Sequence, residues 1–215
     1  MSSAVPTQSP KSQTRQANEA VILQAAERIF AGAGYGGATM AMIAEAAGLP
    51  KANLHYYFGN KQELYRTVLD HTLRDWLAPA DAISPTADPR QALESYIRDK
   101  MRMSAQRPHA SKVFANELLH GAPVLSDLLK TTLRDMVNEK AAVIDGWIAA
   151  GRMARVDSVN LFFTIWAATQ TYADFDVQIR AVLGREAFAE ADHEQATQHV
   201  VTLILRGCGL FEKSL

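Results

Sequence analysis

The chain has 215 residues, of which 48% are hydrophobic and 21% charged; that is enough apolar material for a sizeable core and too much for a disordered chain. Its single cysteine, Cys208, excludes an intramolecular disulfide and a multi-cysteine zinc site and fits a reducing cytoplasm. A net charge of −1 argues against nonspecific nucleic-acid binding, yet residues 1–66 hold six basic side chains against four acidic, so a focused basic patch is allowed there.

Residues 1–14, rich in Ser, Gln and Pro, read as a disordered polar tail. They lack the apolar core of a secretory signal, and no later apolar run approaches the ~20 residues needed to cross a membrane, so a soluble, cytoplasmic protein is expected. Apolar residues recur at three and four positions almost throughout, and strand signals are scarce. The fold class is therefore all-α.

Ile22, Ala25, Ala26, Ile29 and Phe30 form the stripe of a first helix, ended by Gly32 and Gly34. A second helix is expected from about Met40 to Ala47, capped by Thr39 and stopped by Gly48. A third, about Lys51 to Phe58, puts Leu54 and Phe58 on one face with Tyr57 beside them. Lys51, Ala52, Asn53, His55 and Tyr56 then point outward. Asn60 and Glu63 form a capping pair for a fourth helix, Lys61 to about Leu77, with Lys61 in its first turn. A lysine there opposes the helix dipole by a few tenths of a kcal/mol, and an approaching anion would relieve it.

Residues 79–89 hold three prolines and read as a loop. Asp88 and Pro89 start a fifth helix reaching about Gln106, Pro108 opens a sixth to about His120, and Pro123 opens a long seventh to about Ala150. Asp157 caps an eighth with Leu161, Phe162, Ile165 and Trp166 on its apolar face, and a ninth spans about Ala189 to Leu205.

No G-x-S-x-G elbow, P-loop or H-E-x-x-H occurs, and GYGGAT follows a helix, which makes it a turn rather than a phosphate cradle. His193 and His199 stand six residues apart, on different helix faces, so no metal site is expected. No catalytic residue and no cofactor follow. Trp166, Gln170 and Asp174, spaced i, i+4, i+8, align an indole, a carboxamide and a carboxylate along one stripe. A planar base with alternating N–H and carbonyl groups would match them. On the residues alone, a Gln170 that bridges helices and an Asp174 at the surface fit better.

Thr39, Ile43, Ala44, Ala47, Gly48, Leu54, Tyr57, Phe58, Lys61 and Leu64 stand at the spacing of the N-terminal domain of TetR-family transcriptional regulators. DWLAP at 75–79, LLHGAPVL at 118–125, DGWIAAG at 145–151 and WAATQTYADF at 166–175 resemble a pyrimidine-responsive branch of that family. The resemblance implies a DNA-binding domain over 15–60 and a ligand-binding and dimerisation domain over 61–215. It places Thr39, Met40, Tyr56, Tyr57 and Lys61 at the DNA backbone, Lys51, Ala52 and Asn53 over base edges, and His55 beside them. It makes Trp76, Trp166, Gln170 and Asp174 the effector site, with Glu117 as a further candidate. It also implies a homodimer through the last two helices, a palindromic double-stranded operator, and repression relieved or adjusted by a pyrimidine nucleobase. Pro50 where a Ser or Thr cap is usual, and His55 where tyrosine is common, leave the operator sequence open. Other readings are a purine or aromatic effector, a helical adaptor that does not bind DNA, and a small enzyme acting on pyrimidines.

Overall fold

The computed structural model describes residues 10–211, and every regular element among them is helical. The chain divides into two compact units, one ending at Asp70 and one beginning at His71. The division falls inside a helix, ten residues beyond the boundary expected at 60.

The first unit is built from α1 (Pro10–Gly37), α2 (Met40–Ala47), α3 (Lys51–Phe58) and the start of α4 (Lys61–Leu77). Of the expected polar tail, residues 1–9 lie outside the described residues, and residues 10–14 already belong to α1. Gly34 interrupts that helix where the sequence puts its end: it leaves helical geometry at φ 66°, ψ 170°, a region open to glycine, and a short helical stretch follows the kink to Gly37. Ile22, Ala25, Ala26 and Phe30 are buried, as their stripe requires, against Ile43, Ala44, Leu54 and Leu64 in one small core. Gly48 takes φ 65°, ψ 28°, and the Gly48 and Leu49 N–H groups return to α2 carbonyls, which closes that helix and turns the chain within two residues into α3. Glu63 N–H donates to Asn60 Oδ1 at 3.0 Å. The Asn60 N–H bonds the Phe58 carbonyl instead, so only half of the expected capping pair forms.

In the second unit a 3-10 turn, Ala78–Ala82, occupies the front of the expected 79–89 loop. Asp88 Oδ1 accepts the Gln91 N–H at 2.9 Å and starts α5 (Pro89–Gln106), and α6 (Pro108–Leu119) follows after one residue. The seventh helix differs from expectation. Gly121 and Ala122 both take positive φ, and the buried Glu117 carboxylate accepts the Val124 and Leu125 N–H groups at 2.6 and 3.2 Å. Pro123 therefore sits in a reversal rather than at a helix start. The helical run opens as α7 (Ser126–Leu128), loosens into a π turn over Leu129–Leu133 and continues as α8 (Arg134–Ala149). Asp157 caps α9 (Ser158–Asp174), a break at Phe175 separates α10 (Asp176–Leu183), and α11 is Glu190–Gly207. Tyr96, Ile97, Ile144, Trp147, Phe162, Ile165, Val201 and Leu205 form the main core between α5, α8, α9 and α11. No helix of the described residues is long and apolar enough to cross a membrane.

Leu54 is fully buried and fixes which face of α3 points inward. Leu54→Ala is expected to destabilise the first unit by about 2–5 kcal/mol, seen as a lower urea midpoint for the transition reporting on residues 10–70. An unchanged midpoint would show that another contact holds α3.

Candidate functional site

In the first unit, Thr39 Oγ1 accepts the Met42 N–H at 3.2 Å and sets the start of α2. Lys51, Ala52, His55 and Tyr56 are exposed and Asn53 is half-buried, while Leu54 and Phe58 are buried behind them. Tyr56 is 75% exposed. His55 Nδ1 donates to the Gly59 carbonyl at 2.7 Å, and the Gly59 N–H returns to the His55 carbonyl at 3.0 Å. Because a carbonyl only accepts, this bond puts the proton of a neutral ring on Nδ1 and leaves the Nε2 lone pair outward. Tyr57 is half-buried, its Oη accepting from Asn18 Nδ2 at 3.1 Å, with the Arg15 guanidinium 6.0 Å from its ring.

Two expected contacts stand differently. The Met40 side chain is buried, so only its backbone is available at the α2 terminus. Lys61 is half-buried, and its Nζ donates to the Tyr35 and Ala38 carbonyls at 2.8 and 3.0 Å and lies 4.4 Å from the Tyr35 ring centroid. Its charge thus already supports the turn that carries Thr39. The ring cluster of Phe30, Tyr35 and Tyr65, with centroids 4.8–4.9 Å apart along Phe30–Tyr65–Tyr35, backs the same turn.

In the second unit, Trp76 is buried, with its ring 5.0 Å from Phe114. Asp174 accepts from Ser111 Oγ at 2.5 Å, and the next residue of α6, Lys112, pairs through Nζ with Asp176 at 2.5 Å, so α6 is pinned to the end of α9 and to α10. Burial raises the Asp174 carboxyl above its ordinary range, opposed by Ser111, Lys112 and Lys100. Gln170 is half-buried between the other two residues of its stripe, and its amide makes no hydrogen bond among the described residues. Trp166 is engaged elsewhere: its Nε1 donates to Tyr96 Oη at 2.7 Å, and its ring meets Phe162 and Phe163. Burial pushes the Tyr96 phenol up to about 12, so it stays a neutral partner. Glu117 is occupied in the reversal after α6. Tyr172 stacks on Phe188 with centroids 5.7 Å apart. His193 packs edge-on against Phe188 and is held below its ordinary range by burial, rather than solvated as its sequence suggests. Two open clefts of about 780 and 380 Å³ flank Phe188, and Trp76, Trp166, Gln170 and Asp174 line neither. No group of side chains among the described residues could hold a metal ion.

Sequence reasoning missed Lys100. It falls in the apolar phase of α5 with Leu93, Tyr96, Ile97 and Ser104, is 3% exposed, and places its Nζ 4.3 Å from the Trp76 ring centroid. A charge inside an otherwise apolar stripe was the available signal. Burial holds its ammonium down to about 7, while Asp174 pulls the other way. A desolvated cation over an indole face recovers about 2 kcal/mol, less than an unpaired buried charge costs.

Lys100 therefore costs the fold stability when charged. The unfolded chain binds the extra proton between pH 7 and about 10.5, so stability rises with pH across that window and the full cost stands below it. Lys100→Met is expected to raise stability by about 3 kcal/mol at pH 6 and by under about 1 kcal/mol near pH 10, read as paired thermal melts across pH. A difference independent of pH would contradict the assignment.

Residues 22–68 match the family model described as bacterial regulatory proteins of the tetR family, and residues 69–211 match that of the YcdC-like protein C-terminal region. The HTH-type transcriptional regulator RutR of Escherichia coli is 41% identical over 204 residues, covering 95% of this chain and 96% of the relative. The HTH-type transcriptional repressor NicS of Pseudomonas putida is 30% identical over 61% of each chain. Among solved structures, a tetR-family regulator from Rhodococcus superposes with TM-score 0.71 at 19% identity, over 91% of this chain and 98% of its own. PfmR of Thermus thermophilus gives 0.67 at 22%, over 86% and 97%, so both support the fold. A helix-turn-helix unit, a matching second unit and near full-length identity to a transcriptional regulator agree, and the chain belongs to the TetR family of ligand-responsive, DNA-binding transcriptional regulators.

Proposed function

We propose that this regulator is a cytoplasmic repressor of a pyrimidine or nitrogen catabolism operon, and that a uracil- or thymine-like base in the second unit alters its grip on a palindromic operator. The observation that carries the DNA reading is the sidedness of α3. Leu54 and Phe58 are buried while Lys51, Ala52, His55 and Tyr56 stand in solvent beside Thr39. Such a helix enters a major groove, with Lys51 suited to guanine, Asn53 to adenine, and Thr39, Tyr56, Tyr57 and the Met40 backbone at phosphates. The internal bonds of Lys61 make it a support of that arrangement, with its charge adding to the local potential.

The effector reading rests on the half-buried Gln170 amide, whose donor and acceptor are free to pair with the alternating groups of a pyrimidine, and on Asp174 one turn away. Trp76 supplies an aromatic wall, and Trp166 holds α9 to α5 behind the site. The 166–175 segment and the 75–79 segment, which resemble the pyrimidine-responsive branch of the family, support the same assignment. Phe163 on α9 and Leu203 on α11 are more than half exposed, which suits a homodimer in which these helices form a four-helix interface. The helix α4 holds residues of both units, and a ligand that favours one of its arrangements would change the spacing of the two reading helices.

A gel shift on the duplex flanking its own gene tests this. Retardation is expected at physiological salt, with uracil changing the midpoint and Gln170→Ala requiring about tenfold more uracil for the same change. Equal affinity for random duplex would overturn the operator reading, and indifference to uracil and thymine would overturn the effector reading.

A further inference from the structure

Resting on the effector reading, we propose that Lys100 and Asp174 read neighbouring groups on the C4–N3 edge of the bound ring, so that the site selects a carbonyl next to a ring N–H there and rejects a ring with an amino group in that place. Shared neighbours place them together. Trp76 contacts both Phe114 of α6, at 5.0 Å, and the Lys100 ammonium of α5, at 4.3 Å. Asp174 of α9 reaches the same α6 through Ser111 and is within electrostatic reach of Lys100. Among the described residues, Lys100 forms no ion pair and donates no hydrogen bond, although only 3% of it is exposed.

In its charged form Lys100 has three donors and no acceptor, so a ligand group facing that form must accept, and a carbonyl there favours it over the neutral amine. The Asp174 carboxylate has the reverse need and takes a ring N–H. Uracil offers the C4 carbonyl oxygen and the adjacent N3–H in one plane. At the same two positions cytosine has an amino group and an unprotonated nitrogen, which sets donor against donor at Lys100 and acceptor against acceptor at Asp174. Discrimination of this kind is strong because the mismatched groups are buried and cannot turn to water. Lys100 is a specificity residue on this account, distinct from the Gln170 amide, which tolerates either polarity by flipping.

Isothermal titration calorimetry with uracil and cytosine on the wild-type dimer, Lys100→Met and Asp174→Asn tests this. The wild type is expected to prefer uracil, and Lys100→Met to lose about 10- to 100-fold in uracil affinity with little change for cytosine, so the preference collapses. Asp174→Asn is expected to narrow the preference as well. Removal of a buried charge keeps Lys100→Met folded, and its thermal melt checks this. Wild-type binding of uracil with an unchanged preference in Lys100→Met overturns the Lys100 assignment and leaves the effector reading standing. If the wild type binds neither base, both fall.

Discussion

The presentation of α3 depends on one backbone conformation, the left-handed turn at Gly48. It closes α2 through two carbonyls and brings α3 round within three residues, in the rotational phase that sends Leu54 and Phe58 into the small core. A side chain at Gly48 would meet no neighbour, but the positive φ itself would be strained. With that phase fixed, the outward set of side chains has no freedom: a rotation of α3 exposing Leu54 would cost about 2–3 kcal/mol in lost burial. The support from Lys61 to the Tyr35 and Ala38 carbonyls does similar work at the other end, holding the segment that delivers Thr39.

The second unit is organised by a different tension, polar groups placed where burial disfavours them. Lys100, Ser111, Thr169 and Glu117 are each buried on helices whose neighbours are apolar. Ser111 and Glu117 are matched within the chain, Ser111 by Asp174 and Glu117 by the backbone of the following turn, and Thr169 bonds the Ile165 carbonyl one turn back. Lys100 has only the face of Trp76 and the more distant Asp174. A fold built for stability alone would carry leucine or methionine there. The proposed ligand contact would resolve that imbalance by supplying an acceptor.

Much of this was legible in the sequence because local chemistry decides it. Thr39, Gly48, Asp88 and Asp157 act within four residues of themselves, and their helix boundaries follow. Gly34 likewise breaks the first helix where its sequence position suggests, and only the short stretch to Gly37 beyond the kink was not legible. Pro123, by contrast, misled. Proline suits a helix start, but Glu117, six residues back, takes the nearby N–H groups and makes a reversal there. The proposed effector site shows in the sequence only as a stripe on one helix. Gln170 and Asp174 lie on α9, but Lys100, Ser111 and Phe114 come from α5 and α6, and no single-helix pattern brings those together. The hydrogen bond of Trp166 was hidden likewise, since its N–H partner Tyr96 is seventy residues away.

The account stands or falls on α3 reading duplex DNA in pairs. Selection of bound fragments from a random duplex library by the intact protein, followed by sequencing, tests it directly. The prediction is an enriched inverted repeat whose half-sites lie a whole number of helical turns apart, with centres about 34–36 Å or a multiple of it apart along the axis. Recovery of fragments with no shared sequence, or of a single unrepeated motif, would contradict it.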